Sequence, residues 1–138
     1  MRSKNIVCLD VGEKRIGVAV ADTAIRIAIP LETVEVDGHE IEAITKIVAS
    51  EGVETIVIGY PRNQSGEATA QTQYVEQFSY GLKGIASEIV FQDESLTSVM
   101  AENRLKSYKK PYKKGDIDAL AAAIILQDYL EENHDEWY

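Results

Sequence analysis

The sequence predicts an α/β fold: a mixed five-stranded sheet, three antiparallel strands and then parallel strands, with helices on both faces. Three strand-like apolar runs come first and are joined by short connections, which is typical of antiparallel hairpins. Two further strand-like runs alternate with helical patterns, and such units form right-handed crossovers between parallel strands. The 138 residues fit one domain, expected over residues 1–132, with a flexible acidic tail at 133–138.

The first three strands are predicted from β-branched apolar runs at residues 6–11, 16–21 and 27–34. The short stretch between the first two runs, residues 12–15, predicts a tight turn and therefore a hairpin. Pro30 lacks the N–H that a central strand needs, so it marks an edge strand or a bulge.

The rest of the chain alternates between helical and strand periodicity. We predict helices at 39–50 and 67–82, strands at 55–59 and 88–91, and two final helices at 97–107 and 117–132. Gly52 is placed to stop the first of these helices. The helix at 67–82 is expected to bury Ala70, Val75, Phe78 and Leu82.

Composition and charge narrow the class of protein. The net charge of −9 argues against a protein that coats nucleic acid with a basic face. No apolar run reaches membrane-spanning length, and the first one is short and interrupted by Asp10, so no signal peptide is predicted. Cys8 is the single cysteine, which rules out an internal disulfide and favours a small core residue. These features favour a cytoplasmic protein.

One segment is strongly basic despite the acidic average. Six of the 14 Lys and Arg residues lie between positions 104 and 114: Arg104, Lys106, Lys109, Lys110, Lys113 and Lys114. Tyr108 and Tyr112 are interleaved with them, which suits phosphate contacts combined with base stacking. The alternative is a solvated lysine-rich loop without a function.

Acidic residues stand at three positions that the predicted fold brings together. Asp10 lies in the first apolar strand, where a carboxylate is costly to bury without a partner charge. Asp93 and Glu94 follow the fifth strand, and Asp116 and Asp118 precede the last helix. Each acid alone has an ordinary explanation, because Asp10 could cap a turn and the others could cap helices. Their expected convergence at the carboxyl ends of the strands favours a metal site.

The residue types indicate which metal such a site would take. Carboxylates, with waters and substrate phosphate, are the ligands of Mg²⁺ or Mn²⁺, and two such ions can hydrolyse a phosphodiester. Zinc is disfavoured because His39 and His134 lie far apart and have no cysteine partners. Residues 12–17 are not a P-loop, since the Gly-Lys-Ser/Thr ending is missing.

At this point the chain resembles a known family. Four segments carry the resemblance in order: 10–19 (DVGEKRIGVA), 59–66 (GYPRNQSG), 93–97 (DESLT) and 114–122 (KGDIDALAA). They are similar to the blocks of the YqgF/RuvX family, the Holliday-junction-resolvase-like or pre-rRNA nucleases. The resemblance covers nearly the whole chain.

The resemblance implies a ribonuclease H-like fold and a metal-dependent nuclease. Its acidic residues would be Asp10, Glu94 and Asp118, and the role it suggests is maturation of the 5′ end of small-subunit ribosomal RNA. We hypothesise that Asp10 bridges two divalent ions while Glu94 and Asp118 each hold one side of the pair.

Basic and polar residues near these segments are candidates for holding the substrate. Lys14 and Arg15 in the hairpin could contact the nucleic-acid backbone, although they could equally be solvated turn residues. Arg62 and Asn63 belong to the 59–66 segment, where Asn also suits a turn. The basic cluster supplies Arg104, Lys109, Lys110, Lys113 and Lys114.

Two positions depart from the family pattern. Glu13 stands where the family usually has Thr or Ser, and it adds a carboxylate near Asp10. Ser95 stands where Arg is usual, and this removes a possible phosphate contact.

Three alternative functions remain open at the level of sequence. The first is a junction resolvase acting on branched DNA, which normally requires a symmetric dimer. The second is a nucleic-acid or ribosome-associated binding module whose acids are vestigial. The third, a nucleotide-binding protein of the actin and sugar-kinase type, is disfavoured because the chain is too short for the two domains it needs. The protein is expected as a monomer or a homodimer.

Overall fold

The computed structural model describes residues 4–61, 65, 67–94, 103, 106–107 and 114–133. The chain folds in the order β1 (Asn5–Val11), β2 (Arg15–Asp22), β3 (Ile29–Glu35), α1 (Glu40–Glu51), β4 (Val53–Pro61), α2 (Ala70–Tyr80), β5 (Glu88–Glu94) and α3 (Lys114–Glu132). The strands form one sheet in the order β3-β2-β1-β4-β5. The three-stranded meander is antiparallel, whereas β4 pairs parallel with both β1 and β5. The predicted mixed sheet is therefore confirmed.

Side-chain alternation along the central strand β1 builds a core on each face of the sheet. Val7 and Leu9 pack with apolar residues of α1 and α2 on one face. Ile6 and Cys8 pack with α3 on the other face, where Leu126 is fully buried. The expected helices on both faces are confirmed, and Cys8 is a buried core residue. Asp10 continues the series of Ile6 and Cys8, so it belongs to the α3 face.

The edge strand β3 bears out both interpretations of Pro30. Among the described residues β3 pairs with β2 alone, so it is an edge strand. Ala19 pairs with Pro30 and Val18 with Glu32, so Leu31 is an extra residue that makes a bulge beside the proline.

Helix α2 starts three residues later than its pattern predicts. Thr69 is its N-cap and forms a capping box with Thr72, which fixes the start at Ala70. Ala70 is exposed, contrary to the prediction, and Thr72 is buried instead, its hydroxyl donating to the carbonyl of Pro61. Leu82 is fully buried, as expected, but it lies after the helix has ended.

The other helix boundaries agree with the sequence to different degrees. Gly52 ends α1 in the left-handed conformation (φ 62°), as predicted. The last helix begins at Lys114 and not at 117, so Asp116 lies in its first turn and is not its N-cap. The predicted helix at 97–107 and the tail lie largely outside the described residues. No helix in the described part of the chain is long and apolar enough to cross a membrane.

Candidate active site

Asp10 lies near the end of β1, the central strand of the sheet. It pairs with Gly17 of β2, one step before Val11 ends the strand. The turn that follows is closed by the backbone N–H of Gly12, which donates to the carbonyl of Arg15 at 3.0 Å. This placement holds a half-buried carboxylate at the rim of the sheet, on the face that α3 covers.

Glu94 is the last residue of β5, which extends three residues beyond the predicted strand and pairs with β4 through Pro61. Strand alternation places Glu94 on the same face as Gln92, whose side-chain amide donates to Glu132 of α3 at 2.8 Å. A Cβ atom at Gly59 would lie 2.7 Å from Glu94 Oε2. The glycine therefore leaves the space that the Glu94 carboxylate occupies.

Asp118 comes from the start of α3, which is attached to the first hairpin and to β3 by three contacts. The Nε–H of Arg15 donates to Asp118 Oδ2 at 2.7 Å, in an ion pair whose side chains are about one-third and one-quarter exposed (32% and 24%). A Cβ at Gly17 would lie 1.9 Å from the Asp118 carbonyl oxygen, so only glycine allows this approach. The Thr33 hydroxyl donates to the carbonyl of Gly115 at 2.5 Å.

Burial and neighbouring charge raise the pKa values of Asp10 and Glu94. Burial, together with the nearby charge of Asp118, raises the pKa of Asp10 to about 6. Burial also raises the pKa of Glu94, to about 8, with the charge of Asp10 contributing. The pKa of the Cys8 thiol is raised by burial and then by Asp10 and Glu94. Asp10 is therefore coupled to both other acids.

A cluster of partly buried carboxylates is destabilised by its own charge unless a cation neutralises it. The donor set consists of carboxylate oxygens only, which fits a hard divalent ion such as Mg²⁺ or Mn²⁺. Within the described residues, no three His, Cys, Asp or Glu side chains lie close enough to hold one ion together. The coupling joins the acids in two pairs that have Asp10 in common.

The structure places only some of the predicted substrate-binding residues. Lys14 is exposed in the hairpin turn, as is Glu13, the residue that departs from the family pattern. Arg15 forms an ion pair with Asp118. For Lys114 only the backbone, at the start of α3, is described. The remaining candidates lie outside the described residues: Arg62, Asn63, Arg104, Lys109, Lys110 and Lys113. Ser95 is also outside them.

Sequence reasoning missed three contributors to the site. Gly17 and Gly59 admit Asp118 and Glu94, and Arg15 is the partner of Asp118 and not a free basic residue. A glycine inside an apolar strand indicates a close approach of another backbone or side chain, and the sequence shows such a glycine at both positions. No comparable signal links Arg15 to Asp118, because the two residues are 103 positions apart.

The sheet order, the helices on both faces and the acids at the strand ends define an α/β domain of the ribonuclease H-like class. Residues 4–132 match the family model described as RuvX, Holliday junction resolvase, and the chain belongs to this family. A Chloroflexus aurantiacus protein with the provisional name pre-16S rRNA nuclease is 43% identical over 136 residues, covering 95% of this chain and 89% of the relative. A Sulfurihydrogenibium relative of the same name is 42% identical over 129 residues, covering 91% and 89%.

Solved structures agree with the fold class. Thermus thermophilus RuvC has a TM-score of 0.57 at 13% sequence identity, with 95% of this chain and 96% of RuvC covered. The same protein in complex with a Holliday junction substrate has a TM-score of 0.58 at 14% identity, with the same coverage. At these identities the likeness concerns the fold. The family and the names of its relatives support a nuclease that acts on nucleic acid.

Proposed function

We propose that the chain is a metal-dependent nuclease that hydrolyses phosphodiester bonds with two divalent ions. The observation that carries this proposal is the convergence of three acids at one rim of the sheet: Asp10 pairs with Gly17, which lies against the backbone of Asp118, and Gly59 on the neighbouring strand makes room for the Glu94 carboxylate. Burial and neighbouring negative charge raise the pKa values of Asp10 and Glu94, and bound cations would offset this cost of ionisation.

Each acid has a distinct part in this proposal. Asp10, on the central strand, would be a ligand of both ions, while Glu94 and Asp118 would each hold one of them. Bound divalent ions would lower the pKa of the attacking water and stabilise the leaving oxygen. The Arg15 guanidinium fixes the orientation of the Asp118 carboxylate through its bond to Oδ2. Lys14 in the adjacent turn, with the basic residues of 104–114, would contact the substrate phosphates.

The substrate that we propose is structured RNA, specifically the 5′ end of the precursor of 16S ribosomal RNA. The names of the relatives from Chloroflexus and Sulfurihydrogenibium support this choice. A second candidate, cleavage of branched DNA, is supported by the description of the family and by the likeness to RuvC. Both substrates require the same phosphodiester chemistry.

A pair of neighbouring substitutions tests the catalytic assignment. Glu94→Gln removes a proposed ligand, whereas Asp93→Asn removes the adjacent carboxylate, which faces the other side of the sheet. We expect Glu94→Gln and Asp10→Asn to lower Mg²⁺-dependent cleavage of a precursor RNA by roughly 100-fold or more, and Asp93→Asn to retain activity. Unchanged cleavage by Asp10→Asn would contradict the catalytic assignment. RNA binding by the wild type without metal-dependent cleavage would favour a binding module.

The two substrates can be separated directly. Equal amounts of enzyme are incubated with a precursor 16S fragment and with a synthetic four-way DNA junction, in the presence of Mg²⁺ or Mn²⁺. We expect a higher kcat/KM on the RNA. Preferential, symmetric cleavage of the junction would instead identify a resolvase.

A further inference from the structure

A side chain of helix α2 contacts the end of β1, next to the acids. The side-chain amide of Gln71, the second residue of α2, donates from Nε2 to the backbone carbonyl of Val11 at 3.1 Å. Val11 is the last residue of β1 and directly follows Asp10. Helices α2 and α3 cover opposite faces of the sheet. Gln71 therefore reaches the end of β1 from the face opposite to the one that carries Asp118.

The Val11 carbonyl requires such a donor because β1 continues beyond its ladder with β4. In an antiparallel ladder, pairs that exchange hydrogen bonds alternate with pairs that do not. Gly12 donates to Arg15 across the hairpin, so the preceding residue, Val11, directs its backbone groups away from β2. On the other side, the described pairing of β1 with β4 ends at Leu9. Gln71 therefore supplies a hydrogen bond that the described part of the sheet does not provide here.

One peptide group joins this contact to the hairpin turn. The carbonyl of Val11 and the N–H of Gly12 belong to the same planar peptide unit. Its oxygen accepts from Gln71 at 3.1 Å, and its N–H donates to the carbonyl of Arg15 at 3.0 Å. A peptide group bonded at both ends is fixed in orientation, and each hydrogen bond polarises the other. A Cβ at Gly12 would lie 2.8 Å from the Arg15 carbonyl oxygen, so glycine is needed for this geometry.

The same turn carries the arginine that contacts Asp118. Arg15 accepts from Gly12 through its carbonyl and donates from Nε to Asp118 Oδ2 at 2.7 Å. Three successive hydrogen bonds therefore connect Gln71 on one face of the sheet to Asp118 on the other. They pass through residues on the carboxyl side of Asp10.

The first turn of α2 is itself held firmly. The hydroxyl of Thr72 donates to the carbonyl of Pro61, the last residue of β4, and Thr72 is fully buried. Thr72 also forms the capping box with Thr69 that fixes the start of α2. Adjacent residues of one capped turn thus bind the ends of β1 and β4. A helix attached in this way can fix the position of the groups bonded to it.

We propose that Gln71 is a positioning residue of the candidate active site. It holds the hairpin turn in place and, through Arg15, sets the orientation of the Asp118 carboxylate. This inference rests on the proposed nuclease function, because it assigns Gln71 a part in metal binding and cleavage. Removal of a group that orients metal ligands typically costs about 10–100-fold in metal affinity or activity.

Two substitutions in the same helix test this assignment. Gln71→Met keeps the length and the helix propensity of the side chain but removes the donor. Gln73→Met makes the same change at an exposed position of α2 and is the matched control. We expect Gln71→Met to weaken Mn²⁺ binding, measured by calorimetric titration, and to lower kcat, each by about 10-fold. Gln73→Met should match the wild type in both, and the Tm of both variants should stay close to that of the wild type.

Hydrogen exchange measured by NMR follows the contact without an activity assay. In the metal-free wild type, the Gly12 N–H and the Arg15 Nε–H both donate within the protein, so they should exchange slowly with solvent. Gln71→Met should speed the exchange of both protons by roughly 3- to 10-fold, the effect of losing one hydrogen bond. Gln73→Met should leave both rates unchanged.

The outcomes separate this inference from the proposed function. Unchanged exchange in Gln71→Met, or equal effects of the Gln71 and Gln73 substitutions, would overturn the inference whatever the cleavage assay shows. Faster exchange with unchanged Mn²⁺ affinity would overturn it too, because Gln71 would then hold the turn without affecting the site. A wild type that does not cleave nucleic acid would contradict the proposed function, and exchange and Mn²⁺ binding would still decide the role of Gln71.

Discussion

Asp118 has a position in its helix that the sequence reveals and a contact with Arg15 that only the fold reveals. Locally it is the fifth residue of α3, where a sequence reading finds only a spare carboxylate near a helix start. In the fold it accepts a hydrogen bond from Arg15, on the strand beside Asp10. The pKa of Arg15 is raised by this hydrogen bond and by the charge of Asp118. Arg15 is therefore best understood as a positioning residue for Asp118.

This interpretation predicts the behaviour of Arg15 variants. Arg15→Ala should weaken Mn²⁺ binding, measured by calorimetric titration, by about 10-fold and lower kcat by a similar factor, because the Asp118 carboxylate loses its fixed orientation. Arg15→Lys should recover only part of the loss, since lysine keeps the charge but not the Nε–H donor. Lys46→Ala, a loss of one positive charge on the exposed surface of α1, is the control. Tighter Mn²⁺ binding by Arg15→Ala would show that the arginine competes with the ion.

At the scale of elements, the site depends on how closely α3 approaches the sheet. The helix lies across β2, β3 and β1, and its first turn is joined to β3 through Thr33 and Gly115. The closest approach is at Gly17, where a Cβ would be 1.9 Å from the carbonyl oxygen of Asp118 and 2.9 Å from the nitrogen of Ala119. Backbone atoms cannot move aside as a side chain can, so the glycine sets the position of the acid.

Two glycine substitutions in the same contact region should therefore differ. Gly17→Ala should move the start of α3, lower the free energy of unfolding by about 1–3 kcal/mol and reduce nuclease activity strongly. Gly115→Ala is the matched control, because its Cβ would meet Thr33 Oγ1 at an ordinary 3.4 Å. It should keep activity and leave stability unchanged or slightly higher, since alanine favours a helix over glycine. Urea denaturation and the cleavage assay measure both effects. Similar losses in the two variants would contradict this account of Gly17.

At the scale of the whole molecule, the raised pKa values of Asp10 and Glu94 predict that stability depends on pH, and the proposed ions predict that it also depends on metal. The folded pKa of Asp10 is about 6 and that of Glu94 about 8, both above their ordinary values of 3.8 and 4.5. An acid whose folded pKa is raised does not destabilise the fold below its ordinary pKa. Its unfavourable contribution grows as pH rises towards the folded pKa and is complete above it.

Removing the Asp10 carboxylate should therefore stabilise the metal-free protein in alkaline but not in acidic solution. We expect the free energy of unfolding of Asp10→Asn to exceed that of the wild type by on the order of 2 kcal/mol at pH 8. At pH 4 the two proteins should differ little. Mg²⁺ should raise the Tm of the wild type at pH 8, have little effect at pH 4, and have less effect on Asp10→Asn. Asp93→Asn provides the control for loss of a carboxylate. A metal effect independent of pH and of Asp10 would place the ions elsewhere.

The sequence predicted the elements better than their boundaries. The strand alternation of β1, the hairpin, the stop at Gly52 and the interruption at Pro30 follow from local chemistry and are present in the structure. The predicted start of α2 is three residues too early, and that of α3 is three residues too late. In α2 the capping pair Thr69 and Thr72 decided the start, and Thr72 became buried through its bond to Pro61 of another element.

The sequence by itself determined the α/β class, the five strands, the two-sided core and the presence of acidic residues at the ends of elements, among which the family resemblance selects Asp10, Glu94 and Asp118. The strands and the core follow from periodicities of two and 3.6 residues, and Asp10 stands out because a carboxylate is costly to place in an apolar run. Only the tertiary structure decided that Arg15 holds Asp118, that Gly17 and Gly59 make room for the acids, and that Asp10 is coupled to both others. The physical reason is that hydrogen bonds, steric contacts and Coulomb forces act over a few ångströms of space, and separation along the chain does not encode these distances.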